Sequence, residues 1–189
     1  MVETDRPIKE KTRAEIEKNL SVMGDYVQMS YLQRALKSRL NFETKKFVLL
    51  RLGGIYESKK MFIEAAKMIK AAAEINTTFK DKNRDFMRAV ELYIKGGNFI
   101  EADRIFAQSL TLGNSKEKQE MKDNFKNFYL AQARNYERLD KRNQAKITYE
   151  KLLTLELDIG ERNNIQKKLL DLYEKLGDVK SYFNLKKSV

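Results

Sequence analysis

The sequence predicts an all-α fold, an α-solenoid of about five antiparallel helical hairpins. Three observations support this prediction. The 189 residues contain a single proline, Pro7, so no later segment holds a residue that forbids helix. Apolar residues recur at spacings of three and four, without the sustained alternation that is typical of strands. Short breaks rich in Gly, Asp, Asn and Ser divide the chain at regular intervals, as turns between helices would.

The breaks separate ten predicted helices, which we pair into five hairpins. Tight turns are predicted at residues 24–25, 58–60, 96–98, 140–142 and 177–178. The hairpins are predicted at roughly residues 12–33, 44–75, 81–112, 115–156 and 161–187. We expect residues 1–11 to be disordered or poorly ordered, and residues 12–189 to form a single helical repeat domain.

The hairpins also repeat one another in sequence. A tyrosine near the end of the first helix is followed nine residues later by an alanine in three hairpins, as Tyr56 and Ala65, Tyr93 and Ala102, and Tyr136 and Ala145. Tyr173 begins a fourth unit, and the intervals between the four tyrosines are 37, 43 and 37 residues. A small residue early in the second helix lets two backbones approach closely. The pattern therefore predicts closely packed helix pairs.

One segment carries a family resemblance. LxxLGGIY at residues 49–56, followed by EAAKMIKAAAEI at residues 64–75, resembles a tetratricopeptide repeat (TPR). The resemblance implies a right-handed superhelix and a non-catalytic scaffold that binds a partner helix or an extended peptide. Related solenoids of helical hairpins are the alternative fold.

In TPR proteins the first helix of each hairpin lines a concave groove, and the resemblance transfers this role to matching positions here. The implied groove residues are Phe47, Leu50, Gly54, Arg84, Met87, Arg88, Glu91, Ile94, Asn127, Leu130, Arg134 and Glu137. Acidic and basic side chains are mixed among them, and the apolar ones predict an anchor site for an amphipathic helix or an extended segment. We therefore expect a protein or peptide partner, which includes a second copy of this chain.

Charge suggests a second function. The formal net charge is +11, and residues 44–80 alone carry +5. The cations Lys59, Lys60, Lys67 and Lys70 form the densest basic run and would lie on a turn and a convex helix face. Such a surface attracts polyanions. The alternative to a protein scaffold is therefore an RNA- or ribosome-associated helical-repeat protein.

Composition excludes several kinds of chemistry. The chain has no Cys and no His, which rules out catalytic triads, His- or Cys-ligated zinc and disulfides within it. Asp81 and Asp85 have helical spacing, but we expect both on a solvated face beside basic residues. We predict no enzymatic activity, no cofactor and no metal. The charged N-terminus and the lack of an apolar run of about 20 residues predict a cytoplasmic protein without a transmembrane segment.

Overall fold

A computed structural model of the protein describes residues 6–187, and within them the chain forms ten α-helices and no strand. Most helices pack against the helix that follows them in the chain, so the prediction of an all-α solenoid is confirmed. The helices are α1 (Arg13–Leu20), α2 (Asp25–Leu36), α3 (Phe42–Ser58), α4 (Phe62–Glu74), α5 (Phe79–Lys95), α6 (Phe99–Leu110), α7 (Ser115–Arg138), α8 (Arg142–Leu153), α9 (Ile159–Leu176) and α10 (Val179–Lys187). We call α1, α3, α5, α7 and α9 the first helices of their hairpins.

The helices group into two compact units. The first unit ends at Ser115 and contains α1 to α6, and the second begins at Lys116 and contains the rest of α7 with α8 to α10. At 24 residues α7 is the longest helix, which accounts for the interval of 43 residues between Tyr93 and Tyr136. The single repeat domain expected over residues 12–189 and the right hand of its superhelix stay predictions.

The segment before α1 lies against α2. Ile8 is buried, the hydroxyl of Ser38 donates to its carbonyl at 3.2 Å, and Arg34 Nε donates to the carbonyl of Arg6 at 2.9 Å. Residues 6–11, which fall in the segment expected to be poorly ordered, thus make defined contacts. Residues 1–5 lie outside the described part of the chain, and for them that expectation stays a prediction.

Four hairpin turns share one geometry. The residue in the left-handed conformation is Lys60, Gly97, Asp140 or Gly177, with φ of 60°, 76°, 52° and 67° respectively. The next backbone N–H donates to the carbonyl of the repeat tyrosine, at 2.9 Å in three turns and 2.8 Å in the fourth. This is the Schellman arrangement that ends a helix. The carbonyl of the repeat tyrosine therefore closes α3, α5, α7 and α9.

Small residues bring paired helices together, as the repeat pattern predicts. Ala65, Ala102 and Ala145 are fully buried. A Cβ added to Gly53 of α3 would lie 2.8 Å from Ile69 Cδ1 of α4, which is closer than packed atoms approach. The close contact between α3 and α4 therefore requires a residue without a side chain at position 53.

The neighbouring glycine provides a matched test of this contact. We expect Gly53→Leu to lower the free energy of unfolding by about 1–3 kcal/mol, because the side chain overpacks the helix pair. Gly54 has no atom within 4 Å of its added Cβ, so Gly54→Ala should raise stability by up to about 1 kcal/mol through helix propensity. Urea unfolding monitored by circular dichroism measures both. Equal effects at the two glycines would contradict the packing described here.

The left-handed turns give a second test. A non-glycine residue pays a conformational cost at Lys60, so Lys60→Gly should stabilise the protein by about 0.5–1 kcal/mol. Gly177→Ala should destabilise it by a similar amount through backbone strain alone, because nothing lies within 4 Å of the added Cβ. Urea midpoints that move in the same direction for both variants would contradict the assigned turn geometry.

Candidate functional site

The groove residues expected in the first unit lie on α3 and α5. Phe47 and Leu50 are half-buried and line a cleft of about 620 Å³ between α1 and α3. The guanidinium of Arg13 lies over the Phe47 ring, 4.7 Å from its centroid. Glu43, Lys46 and Arg51 complete the lining of this cleft. An apolar floor is thus surrounded by three cations and one carboxylate.

Two α5 residues depart from the expected groove. Ile94 is fully buried, so the prediction that it lines the groove is wrong. Ile94 follows Tyr93 and lies one turn after Val90, both buried, so it belongs to the apolar core of α5. Met87 is half-buried, and its sulfur lies 3.6 Å from the hydroxyl of Ser109 on α6, which donates to the carbonyl of Phe106 at 2.8 Å. Met87 therefore presents only part of its side chain.

The remaining groove positions of the first unit are accessible. Gly54 and Glu91 are half-buried, and Arg84 and Arg88 are exposed. Arg84 is bound to Asp81 at 2.8 Å, and Lys95 lies 2.7 Å from Glu91. Most charges on this face are therefore compensated within the unit.

The groove residues expected in the second unit lie on α7. Leu130 and Arg134 line an apolar cavity of about 150 Å³ together with Asn164 and Ile165 of α9. Leu130 is half-buried, whereas Arg134 is exposed. Asn127 is also exposed and Glu137 is half-buried. The α7 positions named by the resemblance thus keep accessible surface.

One ion pair recurs in both units at the same repeat position. Arg88 of α5 binds Glu57 of α3 at 3.1 Å, and Lys168 of α9 binds Glu137 of α7 at 3.1 Å. In each pair the glutamate directly follows the repeat tyrosine and the cation lies 31 residues later. The repeat therefore copies charge as well as packing.

Tyrosine hydroxyls tie neighbouring helices together. Gln33 donates to the hydroxyl of Tyr56 at 2.6 Å, whereas Tyr149 and Tyr173 donate to Glu137 and Glu150 at 2.9 Å. Burial, and then the hydrogen bond to a carboxylate, raises the pKa of both donors above the usual tyrosine value. The two phenols are thus held neutral as hydrogen-bond donors.

The basic run is partly neutralised. Lys59 lies 2.7 Å from Asp25 and 5.2 Å from the centroid of the Tyr26 ring, and Lys70 lies 3.5 Å from Glu74. The hydrogen bond to Asp25 raises the pKa of Lys59. Lys60 and Lys67 are exposed. The four lysines are therefore not equally available to a polyanion.

The two carboxylates on α5, Asp81 and Asp85, accept hydrogen bonds from neighbouring side chains. Asp85 is buried and accepts hydrogen bonds from Asn76 Nδ2 at 2.7 Å and Arg84 Nε at 3.2 Å. The expectation that Asp85 lies on a solvated face is therefore wrong, because an amide in the preceding loop supplies a donor for the buried oxygen. Between residues 6 and 187, no cluster of acidic side chains is suited to hold a metal ion, and no helix is long and apolar enough to cross a membrane.

A comparison with known families supports the repeat assignment. Residues 126–159 match the family model of the tetratricopeptide repeat. The matched segment covers the second half of α7, the whole of α8 and the first residue of α9. No curated protein matches the chain. Together with the ten helices of the described residues and their recurring turns, the match supports a TPR-like repeat protein.

The raised tyrosine pKa values predict a loss of stability in base. The stability contributed by neutral Tyr149 is complete below the pKa of an unfolded tyrosine, about 10, and is lost as the pH rises toward the higher pKa of the folded state. Between pH 9 and pH 11.5, stability should therefore fall less steeply in Tyr149→Phe than in the parent. Urea midpoints across this range measure the difference, and parallel curves would contradict the hydrogen-bonded, buried phenol.

Proposed function

We propose that the protein is a non-catalytic interaction scaffold whose first helices bind a partner helix or an extended peptide. One observation carries the proposal. Leu50 and Leu130 occupy the same repeat position, six residues before the repeat tyrosine, and each is a half-buried apolar side chain at the edge of a cavity. Cavities with apolar walls and a few polar groups are typical of binding sites.

The chemistry of the first helices favours a protein ligand. Half-buried leucines provide anchor sites, and filling such a site contributes about 1.5–3 kcal/mol per buried side chain. Ion pairs on the first helices, such as Glu57 with Arg88, compensate part of the charge that a polyanion would contact. A second copy of the chain would be one such ligand, and it would appear as a homo-oligomer.

An RNA- or ribosome-associated function is the second candidate. The net charge of +11 favours it, as do the exposed side chains of Lys60 and Lys67. Polyanion binding of this kind must weaken steeply with salt, because each neutralised phosphate releases a counterion. If Lys60→Gln with Lys67→Gln flattens that salt dependence, the second candidate is favoured.

Substitution to arginine tests the scaffold directly. Proteins captured from cell extract by the parent chain should be lost with Leu50→Arg or Leu130→Arg, because a charge replaces the apolar anchor. Circular dichroism should show unchanged helicity, since both positions are accessible. The captured proteins are identified and quantified by mass spectrometry.

Two further variants control this experiment. Ile147→Arg places the same charge at an exposed apolar position of α8, 50% exposed, and should leave capture intact. Leu152→Arg, at a fully buried position, should unfold its hairpin. Capture that survives Leu50→Arg and Leu130→Arg would place the interaction on another surface and end the proposal.

A further inference from the structure

The repeat pairs first-helix cations with acids on the adjacent first helix, and the cleft between α1 and α3 breaks this rule. Arg51 occupies the position of Arg88 and Lys168, five residues before the repeat tyrosine. Those two cations each bind a glutamate that precedes them by 31 residues. The residue 31 positions before Arg51 is Leu20, which is buried and carries no charge. Arg51 instead donates to the neutral amide oxygen of Gln28 at 3.2 Å.

Lys46 shows the same departure at a second position. Lys126, its equivalent ten residues before the repeat tyrosine, binds Glu161 of α9 at 2.6 Å. The residue equivalent to Glu161 is Asp81, which is one methylene shorter. Its carboxylate accepts from the Thr78 hydroxyl at 2.7 Å and binds Arg84 at 2.8 Å. Lys46 consequently makes no ion pair within the described residues.

Lys46 and Arg51, neither of which forms an ion pair within 4 Å in the described part of the chain, flank an apolar floor. Phe47 and Leu50 lie between Lys46 and Arg51 in the sequence of α3, and all four residues line the cleft of about 620 Å³. Arg13 covers one face of the Phe47 ring, which blocks that face to a stacking nucleobase. The cleft therefore offers the positive charges of Lys46 and Arg51, opposed by the single carboxylate of Glu43, beside an apolar surface. Its chemistry differs from that of a phosphate-binding track.

We propose that the cleft between α1 and α3 binds an acidic peptide segment, whose carboxylates take the places of the missing acids at Lys46 and Arg51 and whose apolar side chain packs on Phe47 and Leu50. The proposal rests on the scaffold function proposed above and specifies its ligand. Opposite charges at a cleft also accelerate encounter and select partners by sign. The segment is acidic with an apolar residue between its carboxylates.

Fluorescence anisotropy with two synthetic peptides tests the proposal. The probe is a fluorescein-labelled dodecapeptide, blocked at both ends, in which leucines alternate with pairs of glutamates, and the comparison peptide has glutamine in place of every glutamate. The glutamate peptide should bind about tenfold more tightly at low salt, since each exposed ion pair contributes a few-fold. Lys46→Gln with Arg51→Gln should abolish this preference. Lys116→Gln with Lys118→Gln removes the same charge from exposed positions of the second unit and should not.

A conservative variant separates charge pairing from folding. The Thr78 hydroxyl does most to lower the pKa of Asp81, and the charges of Arg84 and Lys46 add to this effect. Asp81→Glu keeps the net charge and restores the side-chain length of Glu161, which allows an internal pair with Lys46. We expect it to weaken binding of the glutamate peptide about threefold, the loss of one exposed ion pair. Unchanged affinity would contradict the role of Lys46.

Other outcomes overturn the proposal in distinguishable ways. Equal affinity for both peptides, lost with Leu50→Arg, would refute the charge selection and leave the scaffold function intact. Failure of both peptides to bind, while proteins are still captured in a manner sensitive to Leu130→Arg, would refute the cleft as the site. A labelled oligouridylate that binds in place of the peptide and depends on Lys46 and Arg51 would show a phosphate site instead.

Discussion

The close approach of paired helices at small residues is the constraint on which the rest of the structure depends. Ala65, Ala102 and Ala145 are buried completely, and Gly53 leaves no room for a Cβ against Ile69. Helices that pack this closely can interdigitate in only one register. That register sets where α3, α5, α7 and α9 end, and the carbonyl of the repeat tyrosine then closes each of these turns.

Because the hairpins share one packing register, the same ion pair recurs in both units. Because equivalent residues of successive hairpins meet in the same way, an acid following the repeat tyrosine and a cation 31 residues later form the same pair in each unit. Such pairs stabilise little individually at a solvated surface. Their effect is to neutralise charge on the first helices where the pairs form. Positions where the pairing fails, as at Lys46 and Arg51, are where a ligand of opposite charge would be selected.

Much of the fold could be predicted from the sequence because helices and turns are local. Periodic apolar residues and Gly, Asp or Asn at the breaks predict ten helices, and the tyrosine and alanine spacing predicts the pairing. The turns at Lys60 and Asp140 were predicted, but their left-handed conformation was not, since neither residue is glycine. There the tyrosine register was the available signal, because both residues lie four positions after a repeat tyrosine.

The candidate site was predicted less well because it depends on contacts distant in sequence. Family resemblance placed Ile94 in the groove, but burial on a helix depends on which neighbours cover each flank. Asp85 was expected in solvent because its donor, Asn76, lies in the preceding loop. The cleft itself requires Arg13 of α1, in a hairpin whose match to the repeat is weak. The sequence feature that could have indicated this cleft is the lack of an acidic residue 31 positions before Arg51.

The central claim is that this repeat neutralises first-helix cations through acids at fixed positions and leaves Lys46 without such a partner. Two double-mutant cycles on the free energy of unfolding test it most directly, one on Lys126 with Glu161 and one on Lys46 with Asp81. The account predicts a coupling of about 0.5–1 kcal/mol for the first pair, which is partly buried and 2.6 Å apart, and a clearly smaller coupling for the second, whose charges interact without forming an ion pair. Equal coupling energies in the two cycles would contradict it.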